Sequence, residues 1–362
     1  TPPMRMAEHW LGAQAWPEAA LALREAAQQA RQAGRLEETE ALLQRVADAA
    51  AQGGDDAARF DALCHALSAR MFRQGAAAVL SQLDALLSQA SGPAQRTRLN
   101  ALRCEALLNL GQVDDALVVG AAALDEAMPG TRAQFEAEVL HGRALALSGR
   151  AADAVVALQA ACDSADRLPD QADPQRALQA RAALAYALYI DNRHAQALQA
   201  QAQAVAMATR MADVTEQAHL NANLGVIAAH AGETLLALGA AEHAHRAFAT
   251  MGLRSTHSHT NAVNLARLAA YRGRFDLSLQ ALQTVLNDDP AHNGPSVRAL
   301  ALAAHTSLRL TLVDEGPLAA AKQALQVLPL DDLLPQVQAM VLLVRLRLAV
   351  HQQGPTAALQ GR

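Results

Sequence analysis

Aromatic side chains are scarce in this 362-residue chain, at 3%, although apolar residues make up 52% of it. A core must therefore be assembled from alanine and leucine, which excludes a β-sandwich or barrel, where Val, Ile, Thr, Tyr and Phe would dominate. Alanine has the best helix propensity, and its small side chain lets helices approach closely, so an all-α chain is expected. Lysine is almost missing, with Lys322 the single example. It stands in "AAAKQAL" with no glycine loop ahead of it, which excludes a GxxxxGK[ST] phosphate cradle and leaves no context for a Schiff-base lysine. A GxSxG nucleophile elbow does not occur either. Apolar runs such as "AALAYALYI" (Ala182 to Ile190) reach about half of the roughly 20 residues that span a bilayer, and no membrane association is expected. The features of a secretory signal are missing, so a cytoplasmic location is expected. Three cysteines, Cys64, Cys104 and Cys162, are too few and too far apart for a disulfide framework. They read as small buried apolar residues in a reducing compartment. The net charge of −5 comes from acids and arginines interspersed along the chain, and no basic stripe announces direct nucleic-acid binding. The chain begins at Thr1 rather than at a methionine, so a longer parent protein is expected.

What is present is a phrase that returns. "LNLGQVDDAL" (Leu108 to Leu117) is echoed by "LALSGRAADAV", "AHAGETLLAL" and "AYRGRFDLSL". Aligned on its glycine, equivalent turns fall at Gly34, Gly75, Gly111, Gly149, Asn192, Gly232, Gly273 and Gly316, with steps of 41, 36, 38, 43, 40, 41 and 43 residues. A period of 20–50 residues built on helix-turn-helix units means a solenoid. Each unit explains itself locally. An apolar-periodic helix, such as "RTRLNALRCEALLNL", ends at a glycine able to take the left-handed conformation. A second helix then starts with acids in its first turn, opposite the helix dipole. Five residues past the turn a small side chain recurs, at Ala116, Ala154, Ala197, Ala237, Ser278 and Ala321, so that the second helix can cross the first at close range. Neither helix buries its apolar stripe alone, so neighbours must stack. "VRLRLAV" (Val344 to Val350) alternates like a strand, but it lies in a segment of helical length from Gln336 to Gln353 and is read as helix. The Pro- and Asp-rich stretches around Pro169 and Pro290 are read as inter-repeat turns.

This spacing resembles the tetratricopeptide repeat. The family's small residue seven places before the turn is matched by Cys104, Gly142, Ala185, Gly225 and Ala266, and its preceding leucine by Leu184, Leu224 and Leu265. Its closing proline is matched by Pro290 and, one place late, by Pro129. The Trp and Tyr of the strict repeat are missing, and the period exceeds the family's. The long period and degenerate consensus look more like the C-terminal helical arrays of bacterial STAND-type signalling ATPases and transcriptional activators, of the MalT and SARP-regulator kind. The opening "AEHWLGAQAWPEAALALREAAQQARQAGRLEETEALL" resembles the junction where such arrays begin. The resemblance implies a right-handed α-solenoid of about eight helix pairs over residues 34–362. Residues 1–33 would form capping helices, the first of them over residues 4–15. It also implies a non-catalytic recognition module, the sensor arm of a larger ATPase or regulator. The alternatives are a stand-alone scaffold for complex assembly or a peptide-binding receptor of the quorum type.

In such arrays the first helix of each pair lines the concave face and reads the ligand. Carried over residue by residue, the family's ligand positions fall on Asn223 and Asn264, on Tyr186 and Tyr189, and on Arg267 and Tyr271. Arg98, Glu105, Asn109, Glu136 and Arg143 fall on the same face. Two asparagines in register can clamp an extended peptide, because each amide both donates and accepts. The implied partner is a protein or peptide segment, or a small polar effector, and self-association stays open. The alternative is that these polar residues are only an exposed helix face and that the tyrosines pack between repeats. Acid pairs such as Asp55–Asp56, Asp114–Asp115, Asp288–Asp289 and Asp331–Asp332 fall at turns or helix starts and are read as caps. Six of the 13 histidines lie between His219 and His259. "EHAH" puts two of them on different faces, unlike a helical zinc pair at i, i+4, whereas "HSH" (His257, His259) could chelate in a loop. They are read as solvated or hydrogen-bonding side chains, and no metal or cofactor is expected.

If the small residue after each turn sets the helix crossing, Ala237→Leu must overpack it. The expected loss is about 1–3 kcal/mol. A thermal melt identical to the parent would contradict the register.

Overall fold

The structure is a computed structural model that describes residues 2–167, 174–289, 294–313, 315–331 and 333–353. Among these residues all regular structure is helical. A lone α1 (Pro3–Gly12) precedes the pairs α2 (Trp16–Gln32) and α3 (Leu36–Gln52), then α4 (Asp56–Gln74) and α5 (Ala77–Gln89). Next come α6 (Pro93–Asn109) with α7 (Val113–Asp125), α8 (Arg132–Leu147) with α9 (Ala151–Arg167), and α10 (Pro174–Ile190) with α11 (His194–Arg210). The chain continues through α12 (Val214–His230), α13 (Thr234–Thr250), α14 (Thr256–Tyr271) and α15 (Phe275–Leu286). It ends with α16 (Pro295–Leu312), α17 (Glu315–Gln326) and α18 (Pro335–Gln353), so "VRLRLAV" is helical. Two compact units result, Thr1–Ala231 with α1–α12 and Gly232–Arg362 with α13–α18. In each, a helix packs on its sequence neighbours and on the helix two places along, the signature of a solenoid stack. No described helix is long and apolar enough to cross a membrane.

Seven of the eight expected turn residues have positive φ, from 59° at Asn192 to 91° at Gly75. At Gly111 the backbone forms a Schellman motif, in which Gln112 N–H donates to the Leu107 carbonyl at 2.9 Å and Gly111 N–H to that of Leu108 at 3.1 Å. The same pair of bonds recurs at Gly149, Asn192 and Gly273. The eighth turn departs from expectation. Gly316 lies inside α17, and Val313 takes the left-handed conformation instead, with φ 55°. A β-branched residue is strained there, so local preference does not account for the place of this turn. The first helix is also shorter than expected, ending at Gly12. The stretches around Pro169 and Pro290 lie outside the described residues.

The small residues are buried, although the move of the eighth turn to Val313 leaves Ala321 eight places after it and outside the expected register. Ala116, Ala154, Ala197 and Ala237 have no exposed surface, Ser278 is 1% exposed and Ala321 6%. At the turns of Gly111 and Gly273 the residue seven before meets the residue five after. Cys104 Sγ donates to the Ala116 carbonyl at 3.3 Å, and Ser278 Oγ to that of Ala266 at 2.8 Å. All three cysteines are free and buried. Burial, opposed by the charge of Arg98, pushes the Cys64 thiol up to about 11; burial, opposed by that of Arg143, pushes Cys104 up to about 12. Both are therefore protonated packing groups.

Within the first unit, elements far apart in sequence also meet. Arg31 of α2 reaches Asp213, the N-cap of α12, at 2.8 Å, and Thr215 Oγ1 donates to the Arg31 carbonyl at 3.2 Å. The Phe72 ring of α4 lies 4.3 Å from that of His219 in α12. The first helices of this unit thus bend round until α12 meets α2 and α4. Asp213 is almost fully buried; its Oδ1 accepts from the Glu216 N–H and its Oδ2 faces Arg31.

Two outcomes follow from this packing. A Cβ added at Gly142 would sit 2.6 Å from Leu158 Cγ, whereas one at Gly239 meets nothing within 4 Å. Gly142→Ala should lose about 1–3 kcal/mol by overpacking, while Gly239→Ala should gain about 0.5–1 kcal/mol from helix propensity; chemical denaturation of the two variants checks both signs. Arg31→Ala should cost about 1–3 kcal/mol, less than the 3–5 kcal/mol of a fully buried pair because Arg31 is partly solvated. A melt of Arg31→Ala matching the parent would show that the contact between α2 and α12 carries no stability.

Candidate functional site

The first helices α4, α6, α8, α10 and α12 present one face built by the turn register. The residues thirteen before Gly111 and Gly149 are Arg98 and Glu136, and they meet across α6 and α8 at 3.7 Å. On its other side Arg98 lies 3.4 Å from Asp61 and 3.3 Å from His65 Nε2. Asp61 accepts from His65 Nδ1 at 3.4 Å. That hydrogen bond, outweighing burial and helped by the charges of His65, Arg98 and Arg24, holds the Asp61 carboxyl well below its usual range. Arg98 is thus neutralised within the wall, being only 12% exposed, and it orders α4, α6 and α8 rather than standing free for a ligand.

A second row lies six residues before each turn, at Glu105, Arg143 and Tyr186. Arg143 is 3.7 Å from Glu105, in a pair that is about one-third exposed on both sides and open to a ligand from outside. Tyr186 is half-buried against the core that holds Leu184, Leu188 and Ile227. Burial raises its hydroxyl above the ordinary range, with the Arg143 charge pulling it back. Tyr189 follows one turn later, with ring centroids 6.4 Å apart. Both tyrosines therefore pack between repeats, as the second of the two readings open in the sequence has it.

The structure adds two residues that sequence reasoning missed. His230 and His194 gather round Tyr189, with ring centroids 5.1 and 5.8 Å from it. His230 Nδ1 lies 2.9 Å from the Val226 carbonyl, which assigns the proton to Nδ1 and leaves Nε2 to accept from Tyr189 Oη at 3.4 Å. The signal for His230 was its place two residues before Gly232, matching Tyr271 before Gly273. His194 lies on a second helix, where the ligand register does not look.

The asparagines separate by role. Asn221 is consumed by the Gln217 carbonyl at 2.7 Å and buried Asn261 by that of Ala241 at 3.1 Å. Asn223 is exposed and Asn264 half-buried, and neither side chain makes a hydrogen bond among the described residues. Asn223 belongs to the first unit; Asn264, Arg267 and Tyr271 belong to the second, along one stripe of α14. Arg267 is exposed and Tyr271 is 79% exposed.

The histidine-rich stretch needs a correction. His259 is not solvated: it is buried, and its Nε2 lies 3.0 Å from Asp288, which also meets Arg254 at 3.2 Å. Asp288 is therefore a buried ion-pair partner and not merely a turn cap. Among the described residues no group of three or more His, Cys, Asp or Glu is placed to hold a metal ion.

No protein-family profile matches the chain, and no curated protein matches it. Among solved structures it is similar to the Rap protein complexed with Competence and Sporulation Factor, with a TM-score of 0.58 and 12% identity over 95% of this chain and 100% of that one. The Cut9–Hcn1 assembly of the APC/C gives a TM-score of 0.62 and 11% identity, over 90% of this chain and 55% of that one. The apo quorum sensor NprR from B. thuringiensis gives 0.51 and 12%, over 72% of each chain. At such identities the likeness is one of fold, an all-α stack of tetratricopeptide-like repeats. The expected likeness to STAND-type ATPase regulators is not among these findings.

Proposed function

We propose that this chain is a non-catalytic recognition module that holds an extended peptide segment along the first helices of one unit, as a peptide-responsive regulator. The observation that carries the reading is the contrast among the asparagines. Asn221 and Asn261 are spent on backbone carbonyls, whereas Asn223 and Asn264, each nine residues before its turn, keep both amide functions unused on the first-helix face. An unspent amide can pair with both the N–H and the C=O of a peptide unit. Around Asn223 the first unit adds half-buried tyrosine edges, which join apolar area to a polar tip as binding surfaces do. The acids of that wall are engaged by Arg98, His65 and Arg143, which spends them on holding the first helices together and leaves none as an unpartnered acid or base. The likeness in fold to a Rap protein complexed with Competence and Sporulation Factor supports a peptide ligand. So does that to the Rap conjugation gene regulator of plasmid pLS20 in complex with the Phr* peptide, at a TM-score of 0.50.

The test uses peptides selected from a random display library on the intact chain. Asn223→Ala and Asn264→Ala, made singly, should melt like the parent because neither amide supports the fold. At least one should weaken the selected peptides by roughly 30-fold, the effect of losing about 2 kcal/mol at a hot spot. Unchanged affinity in both variants would place recognition elsewhere, and early melting would make the asparagines structural.

A further inference from the structure

The second unit differs from the first in charge, and the difference is concentrated on its first helices. It holds 11 of the 30 basic residues but only 9 of the 35 acids, so it carries +2 while the first unit carries −7. The three helices α14, α16 and α18, of 16, 18 and 19 residues, contain no aspartate or glutamate at all. At the chain's average acid content they would carry several. What they do contain is arginine: Arg267 on α14, Arg298 and Arg309 on α16, Arg345 and Arg347 on α18.

These arginines are not equivalent. Arg298 donates to the Asp288 carbonyl, and Arg345 is spent on the end of α17, with bonds of 2.7 and 2.8 Å to the Leu325 and Leu328 carbonyls. Arg309 donates to His305 Nε2 at 3.4 Å; burial, then the Arg309 charge, lowers the affinity of His305 for a proton, which suits its role as acceptor. Arg267 and Arg347 remain. Arg267 lies six residues before Gly273, and Ser307 lies six before Val313, so both occupy the ligand row of their helices. Arg347 Nη1 donates to Ser307 Oγ at 2.6 Å, which draws it onto the same row and orients its guanidinium without neutralising it. Both arginines are exposed, and neither meets a carboxylate among the described residues.

We propose that this row binds an extended acidic peptide segment, with one carboxylate on Arg267, a second on Arg347, and the intervening backbone passing Asn264 and Ser307. The proposal rests on the recognition reading above and adds its chemistry. Two exposed guanidinium forks, that of Arg347 already oriented by Ser307, pair with carboxylates bidentately, which a neutral ligand could not use. Spacing sets the length. Because Ser307 holds the Arg347 guanidinium at α16, one helix-to-helix step of about 8–10 Å separates the two charged groups, which about three extended residues span at about 3.3 Å each. Exposed Tyr271, one turn along α14 from Arg267, offers a ring face at the same edge.

The experiment measures fluorescence anisotropy of a labelled hexaglutamate against the full chain, with hexalysine as control. Hexaglutamate should bind and hexalysine should not, with affinity falling as salt rises because the pairs are exposed. Arg267→Gln and Arg347→Gln should each weaken binding at least threefold and together at least tenfold, at an unchanged melting temperature. No hexaglutamate binding, or full binding by the double variant, would overturn the proposal. So would displacement of hexaglutamate by an equimolar single-stranded oligonucleotide of equal charge, which would assign the row to nucleic acid. Loss of library peptides in Asn223→Ala, in a chain indifferent to hexaglutamate, would leave peptide recognition standing and remove only the acidic preference.

Discussion

The close crossing of paired helices that small side chains beside the turn allow is the constraint on which everything else depends. Where Ala266 accepts from Ser278, or Cys104 donates to Ala116, the two helices of a pair run almost backbone to backbone. A chain with so few aromatics has little choice. Without large rings to fill gaps, alanine-rich helices reach native packing density only by approaching until small residues touch. Repeating that approach every forty or so residues fixes, within each unit, which face each first helix turns toward its neighbours. Recognition residues can then be placed by counting from the turn, at no cost to the core. Arg143, Tyr186, Arg267 and Ser307 share one offset and do not share one chemistry. The scaffold fixes where they stand and leaves their identity free.

Much of this was legible in the sequence because its physical causes are local. A left-handed turn demands glycine or asparagine, a tight crossing demands a small side chain, and both leave marks that a single chain displays. The buried alanines from Ala116 to Ala237 and the positive φ at Asn192 follow from those marks. The eighth turn did not, because Val313 adopts a conformation its side chain opposes, and nothing local predicts it. That displacement had a consequence. Counting from Gly316 places Leu310 on the ligand row, and only the turn at Val313 brings Ser307, and through it Arg347, into register. Contacts across long separations were equally out of reach: Arg31 with Asp213, Phe72 with His219, His259 with Asp288. Each is made by tertiary geometry between residues whose neighbours in sequence give no hint of a partner.

Electrostatics divide the two units more sharply than their folds do. In the first, opposite charges alternate from helix to helix, so that Asp61, Arg98 and Glu136 neutralise one another and stiffen the wall. Such partly buried rows contribute order more than affinity, since desolvation offsets much of their attraction. In the second, the acids have left the first helices and the exposed arginines keep their charge for something outside the chain. The residues that look most like ligand binders by type, Arg98 and Glu136, are thus structural, while plain-looking Ser307 orients the exposed Arg347.

The central claim is that the first-helix face, and not the outer face of the second helices, receives the partner. Site-specific photocrosslinking addresses it directly. A photoreactive phenylalanine at Tyr186, on the first-helix face, is compared with one at Val156, an exposed residue of the second helix α9. The probe is a labelled peptide selected on the intact protein. Capture from position 186 and none from position 156 is the predicted result. Capture from position 156 alone would contradict the account.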